Sequence, residues 1–140
     1  MYLLDTNLVS ELRKARTGKA DPGVVAWAKG VSADDLYISV ITMLELELGV
    51  QLRERRDPAQ GALLRVWLEQ QVIPGFADRV LPIDMVIARR CAGLQVPNPR
   101  PDRDALIAAT ALVLDLTVVT RNVRDFEGTS VALCNPWSAG

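Results

Sequence analysis

The chain has 140 residues and no histidine among them. That absence removes imidazole acid–base catalysis, the Ser-His-Asp and Cys-His nucleophile systems and the usual zinc sites, leaving Asp, Glu, Lys, Tyr and Cys to carry any chemistry. Cysteine is scarce as well. Cys91 and Cys134 stand far apart among apolar neighbours, in neither a CxxC pair nor a disulfide framework, which reads as two core thiols in a reducing compartment. No apolar run approaches the length of a membrane span, and the first one stops at Asp5 with no basic leader, so the expected setting is cytoplasmic, with no membrane partner. Neither sign of charge is in excess: sixteen Lys and Arg against seventeen Asp and Glu leave a net −1, so any nucleic-acid surface has to be local. With 49% hydrophobic and 24% charged residues, the chain is expected to form one globular domain over residues 1–140.

What is present is a set of short apolar segments that each stop at a polar cluster. Tyr2-Leu3-Leu4 reads as a buried strand with Asp5 at its carboxyl end, and Thr6 or Asn7 can cap the helix announced by Leu8, Val9 and Leu12. Arg13, Lys14, Arg16 and Lys19 follow as the densest basic run, closed by Gly18 and by Asp21-Pro22, a helix start. Leu36-Tyr37-Ile38-Ser39 is a second strand. Thr42-Met43-Leu44-Glu45 fits a capping box, with Glu45 on the first turn of a helix that runs through Leu52 and Glu47 on another of its faces. After a break at Arg53–Pro58, Ala62 to Val72 forms a further helix, and the two helices are expected as a hairpin projecting from the sheet, with apolar faces suited to a homodimer or a partner helix or, more commonly for such faces, to an intramolecular core. Arg79-Val80-Leu81-Pro82-Ile83 reads as a short strand and Asp84 as the cap of the next helix. A Pro-rich connector at 97–101 leads to Asp102 as N-cap, Asp104 in the first turn and an alanine-rich helix through Leu112. Leu116 to Thr120 is a clear strand, with Thr120, Arg121, Asn122, Arg124 and Asp125 at its carboxyl end, and Val131 to Leu133 is a last one. Strands alternating with helices imply an α/β chain with a mostly parallel sheet covered on both faces.

Asp5, Glu45 and Asp104 thus share one description: each lies at a strand end or in a first helical turn at what should be the same sheet edge, where ligands collect in open α/β sheets. Each alone also reads as a helix cap or a dipole partner. Together they pose an energetic question, since two carboxylates about 4 Å apart repel by about 4 kcal/mol at an effective dielectric near 20, against a net stability of roughly 5 to 15 kcal/mol. Either a cation binds or one acid keeps its proton. Oxygen donors without imidazole or thiolate select a hard cation, Mg²⁺ or Mn²⁺, which suits phosphodiester hydrolysis by metal-activated water.

The combination of Leu3-Leu4-Asp5-Thr6-Asn7, Thr42-Met43-Leu44-Glu45, Asp104-Ala105-Leu106-Ile107-Ala108-Ala109-Thr110-Ala111 and Val119-Thr120-Arg121-Asn122-Val123-Arg124-Asp125-Phe126 resembles a PIN-domain ribonuclease of the VapC toxin type. The resemblance spans nearly the whole chain and keeps the motif order. It implies a PIN-like α/β/α sandwich, Mg²⁺- or Mn²⁺-dependent endoribonuclease activity, frequent homodimers, and inhibition by a cognate VapB-type antitoxin. Carried over by position, Asp5, Glu45 and Asp104 match the three core acids and metal ligands. The fourth position falls on Asn122, which brings no charge, or on Asp125. Thr6 and Thr120 are expected to orient ligands or water, and Arg13, Lys14, Arg16, Arg121 and Arg124 to contact the RNA backbone.

Other readings of the same residues stay open at this level. A receiver-like phosphotransfer domain would need a Lys near the edge, and a haloacid-dehalogenase-like one a second Asp where this chain has Asn7. A non-catalytic PIN-like module that binds RNA or protein is the alternative that Asn122 keeps in play.

Overall fold

The computed structural model describes residues 1–138. Its centre is a five-stranded sheet in the order β3-β2-β1-β4-β5, with every adjacent pair parallel. The strands are β1 (Tyr2–Leu4), β2 (Leu36–Ser39), β3 (Val80–Leu81), β4 (Thr117–Val119) and β5 (Leu133–Cys134). Around them lie α1 (Thr6–Arg13), α2 (Pro22–Lys29), α3 (Val40–Arg56), α4 (Pro58–Trp67), the single turn α5 (Ile73–Gly75), α6 (Met85–Leu94) and α7 (Asp102–Leu114). The chain lays down β1, β2 and β3 outward in one direction and then returns to place β4 on the other side of β1. This reversal makes the β1/β4 junction a topological switch point, where the loops at the carboxyl ends diverge and leave a crevice.

Alternation along the strands produces two cores. Leu4 and Val119 face one side with Leu8, Val9, Val24, Ile38, Leu46, Val50, Leu68 and Val72. Leu3 and Val118 face the other with Ile107, Ala108, Ala111, Leu116, Phe126 and Val131. The alanines of α7 serve both neighbours: Ala108 and Ala111 lie against the sheet, while Ala105 and Ala109 pack on Ile87 and Cys91 of α6. Small side chains let α7 approach closely on two fronts, and this holds its N-terminus at the sheet edge. The helix stops where Asp115 adopts a left-handed backbone (φ 56°), a conformation Asp tolerates better than most side chains, and the Leu116 N–H donates to the Ala111 carbonyl at 2.9 Å.

The helix starts differ from the sequence reading in three places. Thr42 is not a cap: α3 begins at Val40, capped by Ser39, whose Oγ accepts from the Ile41 N–H at 3.0 Å. Thr42 lies inside the first turn, fully buried, its hydroxyl without a protein partner among the described residues. Asp5, rather than Thr6 or Asn7, caps α1, accepting from the Thr6 N–H at 2.8 Å. Asp102 is the first residue of α7, not its N-cap, and the Pro101 carbonyl starts the helix by accepting from the Ala105 N–H at 3.0 Å. Asp84 does cap α6, as expected, accepting from the Ile87 N–H at 2.9 Å.

The pair α3–α4 is less of a projection than the sequence suggests. Leu46, Val50, Leu68 and Val72 join the core beneath α1, so the inner half of the pair belongs to the sheet's covering layer. Gly61 lets α4 touch the α3 backbone, since a β-carbon there would lie 2.4 Å from the Glu54 Cα. The outer face of the pair exposes Leu44, Leu48, Leu52, Leu63 and Val66. Among the described residues no helix is long and apolar enough to cross a membrane.

Candidate active site

Asp5 follows β1 directly and Thr120 follows β4, so the two meet at the switch point. The buried Thr120 hydroxyl donates to Asp5 Oδ2 at 2.8 Å and itself accepts from the Asn122 N–H at 3.0 Å. The other Asp5 oxygen is taken by the Thr6 N–H. Asp5 is thereby fixed in orientation, at only 8% exposure. Its carboxyl is nonetheless raised above the ordinary carboxylate range, because burial outweighs the hydrogen bonds from Thr120 and Thr6, and the charges of Glu45 and Asp125 add to the rise.

Glu45 reaches the same edge from α3. Its Oε1 accepts from the Thr6 hydroxyl at 2.6 Å, and its Oε2 lies 3.7 Å from Nη1 of Arg103. Asp104 comes from the first turn of α7. Burial, followed by the charges of Asp125, Asp5 and Glu45, pushes its carboxyl up to about 6. Asp125 stands in the 3₁₀ turn Val123–Phe126, which the Asn122 carbonyl starts by accepting the Asp125 N–H at 3.0 Å. Four carboxylates from four separate segments therefore act on one another electrostatically. Asp125 adds a fourth negative charge to this group, and the Asn122 backbone starts the turn that carries it.

The donor set fits a hard divalent ion. All four acids offer oxygen, the chain has no imidazole, and both thiols lie elsewhere, Cys91 in the α6–α7 core and Cys134 in β5. The Asn7 side chain donates to Asp5 Oδ2 at 3.4 Å and leaves its own Oδ1 buried without a partner, a further neutral oxygen beside Asp5. Among the described residues no three acid or thiol groups converge tightly enough to enclose an ion by themselves.

The arginines expected to meet a polyanion divide between separate hollows. Arg13 stacks over Trp67 (5.9 Å) and lines a concavity of about 270 Å³ with Thr6, Ser10, Glu45, Gly49 and Arg53. Arg16 lines a second hollow of about 180 Å³ with Arg13 and Trp67. A separate open hollow of about 500 Å³ is lined by Arg121 and Arg124 with Asn122 and Asp125. Lys14 pairs with Glu11 at 3.3 Å and lines neither of the hollows that hold Glu45 or Asp125. Sequence reasoning missed Arg53 and Arg103. Nothing in the sequence signalled either, since the first lies in a basic helix end and the second between two acids.

The sequence profile described as the PIN domain matches residues 2–130. The chain belongs to the PIN-domain family. This PIN domain is 37% identical to the protein named Toxin FitB of Neisseria gonorrhoeae, over 98% of this chain and 99% of that one. It is 36% identical to the VapC ribonuclease Y4jK of Sinorhizobium fredii, over 98% of each. Among solved structures it superposes on the crystal structure of FitAcB from Neisseria gonorrhoeae with a TM-score of 0.88 and 37% identity, covering 99% of this chain and 100% of that chain. The α/β/α arrangement with a parallel sheet, anticipated from the sequence, is the arrangement of that neighbour.

Proposed function

We propose that this PIN domain, acting as one unit over residues 1–140, is a divalent-cation-dependent endoribonuclease and the toxin of a VapBC-type toxin–antitoxin pair. The observation that carries the reading is that Asp5, Glu45, Asp104 and Asp125 lie near enough for their charges to raise the Asp5 and Asp104 carboxyls, while among the described residues only Arg103 comes within ion-pair distance of any of them. Asp104, pushed up to about 6 by burial and by the charges of Asp125, Asp5 and Glu45, supports a site whose charge a ligand would balance. Similarity to proteins named a toxin and a VapC ribonuclease supports the substrate class, the cellular role and a VapB-type antitoxin as partner.

Asp5, Glu45 and Asp104 would hold Mg²⁺ or Mn²⁺. The ion supplies Lewis acidity toward a phosphoryl oxygen and lowers the pKa of water near it, which opens hydrolysis at neutral pH without histidine. Thr120 keeps one Asp5 oxygen engaged and leaves the carboxylate a single orientation. Thr6 does the same for Glu45 while its N–H holds Asp5, so one residue couples two acids. Asp125 adds charge at the rim and holds water, with Asn122 shaping the turn. Arg13 and Arg16, and separately Arg121 and Arg124, bind the RNA backbone, and Lys14 contributes only long-range attraction. Cleavage leaves 5′-phosphate and 3′-hydroxyl ends. The exposed row Leu44, Leu48 and Leu52, one side of α3, with Leu63 and Val66 of α4, forms the homodimer contact. Two free thiols agree with a cytoplasmic setting.

The test is cleavage of a panel of structured RNAs by antitoxin-free protein in Mg²⁺, Mn²⁺ or EDTA, beside Asp104→Asn. Metal-dependent cuts with 5′-phosphate ends that disappear in the variant are expected. Uncut RNA together with no heat of Mn²⁺ binding would replace the nuclease by a non-catalytic RNA- or protein-binding module.

A further inference from the structure

We infer that Arg103 is a ligand of the substrate phosphate, stationed beside Glu45 at the rim of the acid cluster so that its guanidinium meets the RNA next to the scissile bond. The inference rests on the nuclease reading above.

Arg103 occupies the second position of α7, between Asp102 and Asp104. A cation in the first turn of a helix opposes the helix dipole, which favours acids there, so helix stability does not account for it. Its ion pair with Glu45 does not account for it either. The separation is 3.7 Å, beyond hydrogen-bond reach, and the Arg103 side chain is 50% exposed, a geometry that contributes little to folding. A residue that breaks a local rule without structural return marks a functional position.

Among the described residues, Arg103 is the cation that lies within ion-pair distance of any of the four acids. An RNA phosphate approaching Asp5, Glu45, Asp104 and Asp125 meets like charge, and a divalent ion cancels only part of it. A neighbouring guanidinium with unspent donors removes more of that repulsion and grips two phosphate oxygens at once. Glu45 keeps its charge turned toward Arg103, because Thr6 fixes the other Glu45 oxygen at 2.6 Å. The hollows lined by Arg13 and Arg53 and by Arg121 and Arg124 flank the acids, and Arg103 supplies positive charge at the acids themselves.

The experiment measures binding of a fluorescein-labelled single-stranded RNA to the full chain by anisotropy, in Ca²⁺ to suppress turnover, over a salt series, for the unaltered protein, Arg103→Ala and Arg103→Lys. Mn²⁺ affinity of the same proteins, without RNA, is read by calorimetry. Loss of one phosphate contact is expected to weaken RNA binding roughly tenfold in Arg103→Ala and to flatten the log K against log salt slope by about 0.7. Arg103→Lys should keep the slope and lose only part of the affinity, because the charge remains while the fork is lost. If Arg103→Ala binds Mn²⁺ more tightly but RNA with an unchanged slope, the arginine only neutralises Glu45 and the inference falls while the nuclease reading stands. If the unaltered protein binds no RNA, both fall.

Discussion

Two acidic clusters in this chain have opposite fates. On the outside of the α3–α4 pair, Glu47, Glu54 and Glu69 share Arg65, which lies 2.7 Å from Glu47, 3.0 Å from Glu54 and 3.3 Å from Glu69. Hydrogen bonds from Arg65 and Gln51 hold the Glu47 carboxyl below its ordinary range. At the sheet edge, Asp5, Glu45, Asp104 and Asp125 have one distant, half-exposed arginine among them, and burial with mutual repulsion raises Asp5 and Asp104. The first cluster is complete as it stands and joins two helices. The second has no such shared cation among the described residues, only the Arg103–Glu45 pair at 3.7 Å. Glu45 and Glu47 are two residues apart on one helix, so the contrast lies in which neighbour each faces and not in local sequence.

Exchanging charge for amide at each of these two glutamates tests the contrast most severely. Glu45→Gln is expected to lower RNA cleavage by at least about a hundredfold, whereas Glu47→Gln leaves the rate per folded molecule unchanged, as measured by single-turnover gel assays. Equal losses in both would erase the distinction.

Thr120→Val sharpens it from the other direction. The variant removes the donor to Asp5 Oδ2 and the acceptor of the Asn122 N–H, at a cost of about 1 to 2 kcal/mol in urea unfolding. With that hydrogen bond gone, Asp5 rises further, so the acid limb of the pH–rate profile should move to higher pH.

Acidity offers a third test, through stability of the metal-free protein. The folded Asp104 carboxyl at about 6 lies above its ordinary 3.8, so the folded state holds this proton more tightly than the unfolded chain. The stabilisation is complete below about pH 4 and is lost as pH rises through about 6. After allowance for solvent screening, Asp104→Asn should be more stable than the unaltered protein by about 1 to 2 kcal/mol near pH 7.5, with the gap closing toward pH 4.5. Adding Mn²⁺ should reverse the order at neutral pH, because only the carboxylate gains from the ion.

The smallest expected effect falls on the satisfied cluster. Arg65→Ala leaves three glutamates together, and calorimetry should find the melting temperature lowered by a few degrees at low salt and recovering as salt is added, with RNA cleavage at low temperature unaltered.

The sequence was informative where chemistry is local. Asp5 at the end of an apolar tripeptide, Asp84 and Asp21 as caps, and the α7 alanines follow from short-range patterns, and each takes the expected part. The start of α3 was misplaced because Ser39-Val-Ile-Thr42 contains two hydroxyl residues able to cap. Pairing of Ser39 with Leu81 in the sheet settles which one ends the strand. How far α3–α4 is embedded stayed open between a projecting hairpin and a core contribution, since apolar residues on both sides of a helix do not say which side the sheet takes. Arg103 went unnoticed because residues 103 and 45 share no local relation and meet only across α3 and α7.

By itself the sequence determined the elements and the ligand chemistry: period-two and helical patterns bury apolar faces wherever they occur, and a chain without histidine and with two separated thiols can offer a metal only oxygen. Which acids are neutralised and which are left charged was decided by the tertiary structure alone. Electrostatic interaction depends on distance and burial, and the return of the chain from β3 to β4 across β1 sets both.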